Sequence, residues 1–125
     1  MIHHVSIGVR DIARAKRFYD AAFTPVGYKA LSESAEALGY GGKEPTLWIT
    51  ATGRPVPADD QSGLHFCFAA PTRKSVDAFY AAALAAGGRD NGKPGLRADY
   101  GSDYYAAFVI DPDGYRLEAL CLDAR

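Results

Sequence analysis

Cysteine is scarce in this chain and long apolar runs are missing, and each shortage removes a class of protein. The two cysteines, Cys67 and Cys121, lack the spacing of a zinc knuckle or a redox pair. Both fall in strand-like segments and read as small, reduced core residues. Disulfide staples are unnecessary at 125 residues, because a domain of this size buries roughly two-thirds of its unfolded surface. No apolar stretch approaches the ~20 residues that span a bilayer, and nothing resembles a signal peptide. Met1 leads straight into a strand pattern, so a cytoplasmic location is the default expectation. Charge of one sign is lacking too. The formal net charge is −1 and the 14 basic residues are scattered, which argues against nucleic acid or an anionic membrane as partner.

What the chain does have is an internal repeat. His4 lies in Ile2-His3-His4-Val5-Ser6-Ile7-Gly8-Val9, ahead of a helical stretch containing Phe18-Tyr19. His65 lies in Gly63-Leu64-His65-Phe66-Cys67-Phe68-Ala69, ahead of one containing Phe79-Tyr80. The offsets 65 − 4, 79 − 18 and 80 − 19 are all 61. Two copies of one supersecondary unit bring the two imidazoles to equivalent points, the arrangement a metal site needs.

Strand and helix periodicities fill in each copy. Residues 2–9 alternate. Asp11 is an N-cap for a helix with the stripe Ile12, Ala15, Phe18, Tyr19, Ala22 and Phe23, ended by Pro25 and Gly27. Three short strands follow, about 28–32, 35–40 and 46–51, and residues 53–62 have linker composition. In the second copy Thr72 caps a helix with the stripe Val76, Phe79, Tyr80, Ala83 and Leu84, stopped by Gly87-Gly88. The stretch 90–103 reads as a loop containing at most one short strand. Strands 104–110 and 115–122 flank an Asp111-Pro112-Asp113-Gly114 turn, in which the aspartates read as turn residues, as Asp11 reads as a cap. The result is a single α+β domain: module one about 1–52, linker about 53–62, module two about 63–125. Helices should cover one face of the sheets and leave the other curved around a cavity.

Alternation assigns side chains to those faces. Val5, Ile7 and Val9, and likewise Leu64, Phe66 and Phe68, belong against the helices, which turns His4 and His65 to the cavity. Leu117, Ala119 and Cys121 form the apolar row of the last strand and leave Glu118 inward with Arg116 and Leu120. Leu47 and Ile49 do the same in module one and turn Trp48 inward with Thr46 and Thr50. Two histidines and a carboxylate on neighbouring strands are the donor set of a facial site for iron(II), manganese or a similar ion. The bland reading is that a strand histidine is a pocket residue and a strand glutamate is solvated or salt-bridged. His3, on the other face and without an equivalent, reads as a surface or interface residue. Trp48 is a candidate cavity wall. Arg97, Tyr100, Tyr104 and Tyr105 are candidates for the cavity mouth, or for simple packing.

These residues together resemble the vicinal oxygen chelate superfamily of glyoxalase I, bleomycin-resistance proteins and extradiol dioxygenases. The resemblance spans essentially the whole chain. It rests on His4-Val5-x-Ile7-x-Val9-x-Asp11 with Arg17-Phe18-Tyr19, on His65, and most specifically on Ala107-Phe108-Val109-Ile110-Asp111-Pro112-Asp113-Gly114-Tyr115-Arg116-Leu117-Glu118. It implies paired βαβββ modules in a U-shaped sheet around a divalent ion (Fe, Mn, Zn or Ni), held by His4, His65 and Glu118. The fourth position of the glyoxalase I pattern falls on or beside Trp48, whose indole N–H has no lone pair to give. The implied activity is therefore a dioxygenase-like three-ligand site acting on a small substrate with neighbouring oxygens, with Tyr104 and Tyr105 as catalytic candidates. The alternative is a metal-free, antibiotic-binding protein of the bleomycin-resistance type. A homodimer is expected, with each site built inside one subunit.

Overall fold

Asp11 caps the first helix by accepting from the Arg14 amide at 3.0 Å. In the second copy Thr72 and Ser75 form a reciprocal cap, each side chain accepting the other's backbone N–H. The two caps stand 61 residues apart (72 − 11), as the repeat requires. The computed structural model describes residues 1–56, 59 and 61–124. The expected linker therefore lies partly outside the described residues, at positions 57, 58 and 60.

Each module runs strand, helix, strand, strand, strand. Module one comprises β1 (Val5–Val9), α1 (Ile12–Phe23), β2 (Lys29–Glu33), β3 (Ala37–Gly41) and β4 (Leu47–Ala51). Module two comprises β5 (His65–Ala69), α2 (Arg73–Ala85), β6 (Arg89–Leu96), β7 (Tyr105–Ile110) and β8 (Arg116–Cys121). The sheets are ordered β1-β4-β3-β2 and β5-β8-β7-β6. In both, the leading strand pairs parallel with the last, and the other pairs are antiparallel. The expected α+β architecture of two βαβββ modules is the one observed. Strand β6 is the exception to the expected boundaries, because an eight-residue strand replaces the first half of the expected loop. Register shifts at Asp90–Gly92 and Gly92–Gly95 carry its glycines and Pro94, and as an edge strand it tolerates the missing N–H. At Gly92 (φ +150°) a Cβ would stand 2.9 Å from the Phe108 ring.

The core forms where the helix stripes meet the sheets. Ala15, Phe18, Tyr19, Ala22 and Phe23 of α1 and Val76, Phe79 and Ala83 of α2 are buried against Val9, Ile49, Val109, Leu117 and Ala119. The helices lie against each other, and the Phe23 and Phe68 rings meet edge-on at 4.9 Å across the module boundary. Among the described residues no helix is long and apolar enough to cross a membrane.

A second tie between modules is polar. Asp111, 2 % exposed, accepts from the amides of Asp113 and Tyr115 through Oδ1 at 2.9 and 2.8 Å. Its Oδ2 accepts from the Tyr19 hydroxyl of α1 at 2.5 Å. Next to it, Asp113 accepts from the Arg14 guanidinium at 2.9 Å, and the Tyr115 hydroxyl donates to the Gly8 carbonyl at 2.6 Å. Asp111 and Asp113 thus join the modules as well as forming the expected turn.

Burial is the main force on the Asp111 carboxyl and lifts its pKa to about 6, against the opposing hydrogen bonds. A carboxyl raised in the folded state stabilises the fold while protonated, and that contribution is lost as pH climbs from about 4 to about 6. Relative to Asp111→Asn, the wild type should lose about 2–3 kcal/mol over that window, measured by urea unfolding across pH. Equal pH profiles for the two proteins would contradict this. Tyr19→Phe, which takes away a donor from the buried carboxylate, should cost about 1–3 kcal/mol at neutral pH by the same measurement.

Candidate metal centre

His65 opens β5 and Glu118 lies midway along β8, its parallel neighbour. Alternation turns both to the face away from α2. Glu118 is 2 % exposed, and a buried carboxylate requires hydrogen-bond donors. It has two. His65 Nε2 lies 3.1 Å from Oε1, a hydrogen bond when that nitrogen carries the proton. The Tyr104 hydroxyl donates to Oε2 at 2.5 Å.

Tyr104 reaches Glu118 because the β6–β7 hairpin curls over it. The Arg97 amide donates to the Tyr104 carbonyl at 2.8 Å, and the Tyr104 amide to the Gly101 carbonyl at 3.4 Å. Burial, and then the hydrogen bond to Glu118, push the Tyr104 phenol above its ordinary pKa and keep it a donor. Cys67 stands directly beside Glu118 in the strand register. Burial first, then the charge of Glu118, push its thiol up to about 12. Cys67 is therefore a protonated thiol on the exposed face of β5, and only Cys121 of the expected core pair is buried. Sequence reasoning missed Cys67 as a site residue, although it stands two positions after His65 and so must share its face.

The other candidates divide. Tyr100 is exposed, with its ring 5.1 Å from that of Tyr104. The Arg97 guanidinium lies over the Phe108 ring at 5.3 Å and donates to the Lys93 carbonyl at 2.7 Å. Phe108 is the antiparallel register partner of Glu118, so Arg97 packs on a neighbour of Glu118 and Tyr100 on Tyr104. Tyr105 stands apart. Its position next to Tyr104 in a strand turns it to the opposite face, where its hydroxyl donates to Asp77 of α2 at 2.6 Å and Arg73 lies over its ring. Beside His65 there is also a cavity of about 230 Å³ bounded by Asn91, Phe108 and Arg116.

Trp48 belongs to the other sheet, where a Cβ on Gly39 would come within 2.8 Å of its ring. The registers make its position informative. Ser6 pairs with Trp48 as Cys67 pairs with Glu118, and Ser6 and Cys67 are repeat equivalents (67 − 6 = 61). Trp48 thus occupies in module one the place that Glu118 holds in module two.

His4 is the expected donor that the single chain leaves apart. It is exposed just ahead of β1, with Nδ1 2.9 Å from the Nδ1 of His3. Among the described residues no three His, Cys, Asp or Glu side chains converge closely enough to hold a metal ion. This runs contrary to the expectation of a site built inside one chain. The physical reason is the topology: β1 and β5 are outer strands of separate sheets. His65 and Glu118 supply one nitrogen and one oxygen donor side by side, two of the three a facial site requires.

A family model, Glyoxalase/Bleomycin resistance protein/Dioxygenase superfamily, matches residues 1–119. A glyoxalase/bleomycin resistance protein from Albidiferax ferrireducens is 34% identical, with TM-score 0.80 over 94% of this chain and 95% of that one. A putative glyoxalase from Bacillus halodurans is 24% identical, with TM-score 0.72 over 97% and 95%. The fold is shared with a mutant of the fosfomycin resistance protein FosX from Listeria monocytogenes, in complex with Mn(II) and 1S,2S-dihydroxypropylphosphonic acid. That protein is 14% identical, with TM-score 0.71 over 96% and 88%. No curated protein matches the sequence. By the family match and the 34% relative, the chain belongs to the Glyoxalase/Bleomycin resistance protein/Dioxygenase superfamily.

Proposed function

We propose that the chain is a metal-dependent enzyme acting on a small substrate with neighbouring oxygen atoms, and that it works as a two-fold homodimer. The observation that carries this reading is the preformed pair of His65 and Glu118, one nitrogen and one oxygen donor held by strand pairing. His4 of a second copy would be the third donor. It is exposed, it precedes an outer strand, and it is the repeat equivalent of His65. A closed two-fold dimer would form two such sites at once.

A divalent ion bound there would supply Lewis acidity to two adjacent substrate oxygens in its open positions. The protein side of the chemistry is positional. Tyr104 holds Glu118 by Oε2, leaving Oε1 toward His65, and stays protonated as it does so. The Phe108 wall next to Glu118 excludes water. Trp48, at the register position equivalent to Glu118, supports a three-ligand, dioxygenase-like site over a four-ligand glyoxalase I site. Fosfomycin-resistance neighbours with the same fold make small-molecule antibiotics one substrate class to screen alongside catechols.

Protein purified without chelator should carry about one divalent ion per chain, and His65→Ala and Glu118→Gln should lose it, as read by elemental analysis and Mn(II) titration. A metal-free antibiotic binder would instead show no ion, and its thermal stability would not respond to EDTA. Tyr104→Phe keeps both donors but frees Glu118 Oε2. It should weaken Mn(II) binding about 10- to 100-fold. Unchanged affinity would remove Tyr104 from the site.

A further inference from the structure

We infer that the substrate carries an oxyanion, a carboxylate or a phosphonate, separate from the oxygens that meet the metal, and that Arg116 binds it. The inference rests on the metal-dependent reading above and deepens it by naming the substrate class. In a pleated sheet, directly paired residues project to the same side. The registers of module two therefore arrange the face that bears Glu118 in three ranks. The middle rank is Cys67, Glu118 and Phe108, continued by Gly92. On one side of it stand His65, Arg116, Ile110 and Arg89. On the other stand Ala69, Leu120 and Ala106.

Charge is unevenly distributed over these ranks. One of them holds two arginines, and a third, Arg97, lies over the Phe108 ring of the middle rank. Glu118 is the sole carboxylate among the described strand residues of this face, and its two oxygens already face His65 and Tyr104. Asp90, next to Arg89, turns to the helix side, where it accepts from the Tyr80 hydroxyl of α2. A divalent ion at Glu118 would add to the positive charge. The complementary ligand is an anion. Arg116 is the arginine placed to take it. With His65, Asn91 and Phe108 it bounds the cavity of about 230 Å³, and no acidic side chain is among the described residues of that wall. Arg116 stands two residues from Glu118 along β8, a rise of about 7 Å. The anion therefore belongs across a spacer such as a six-membered ring, away from the chelating oxygens. The rank of Ala69, Leu120 and Ala106 offers no donor side chain, so the substrate has one orientation.

The test is calorimetric titration, under nitrogen, of Mn(II)-loaded protein with 3,4-dihydroxybenzoate, 3,4-dihydroxyphenylphosphonate and the neutral 4-methylcatechol. At least one anionic probe should bind about tenfold or more tighter than 4-methylcatechol, and the tighter of the two identifies the anion. Arg116→Met should abolish that preference, and Arg116→Lys should keep part of it. Neither variant should weaken Mn(II) binding, because neither touches a donor and Arg116→Met removes a charge that repels the ion. Arg116 is only half-buried, and circular dichroism checks that both variants fold. If Mn(II)-loaded wild type binds the three probes alike, or if Arg116→Met keeps the preference, the inference is overturned and the metal reading stands. A wild type that binds no Mn(II) but still prefers the anionic probes through Arg116 would overturn the metal reading and leave the anion site. Protein that binds neither Mn(II) nor an anionic probe would overturn both.

Discussion

A buried carboxylate sets the geometry of this molecule. Asp111 is shut away from water and can stay so only by accepting hydrogen bonds. Two donors are local amides of its own turn, but the third, the Tyr19 hydroxyl, belongs to the helix of the other module. The turn that Asp111 closes leads directly into β8, and β8 carries Glu118. The carboxylate that defines a local turn through one oxygen therefore ties the start of β8 to α1 through the other. With the helices side by side and Phe23 against Phe68, the outer strands β1 and β5 end in separate sheets.

That arrangement explains why a duplicated fold carries its chemistry unevenly. Both modules have a leading strand parallel to their last strand, in matching register. At the matching positions one last strand bears a carboxylate and the other an indole. Module two holds two donors next to each other, and module one contributes a single imidazole with an aromatic wall. On the proposed metal-dependent reading, a single chain has one incomplete site and one spare ligand. This inequality favours a second copy as the source of the third donor, since two chains would then complete two sites with nothing left over.

Much of this was legible in the sequence because it rests on local rules. The 61-residue offset, the caps Asp11 and Thr72, both helix stripes and the inward turn of Glu118 follow from periodicity and side-chain chemistry, and the structure has each of them. What escaped depends on relations between distant segments. Residues 90–103 read as loop because glycine and proline recur in them, yet backbone pairing with β7 makes the first half of the stretch a bulged edge strand. Tyr104 and Tyr105 are indistinguishable by type, and only the strand start decides which one faces Glu118. Asp111 reads as a turn residue from its neighbours, whereas its bond to Tyr19 spans 92 positions. The placing of His4 away from His65 is likewise a matter of how sheets pack, about which strand alternation says nothing.

The partners of Glu118 also differ in what a metal ion would ask of them. The His65 contact uses Nε2, the nitrogen whose lone pair a metal would need, so the proton on that atom and an ion are mutually exclusive. Tyr104 occupies the other carboxylate oxygen and could keep its bond in either state. One partner is therefore exchangeable and one is permanent. The permanent one is anchored by backbone hydrogen bonds of the β6–β7 hairpin, which places the orienting contact on the more rigid element. A carboxylate oriented in this way loses less freedom when it takes up an ion than one that must first be ordered.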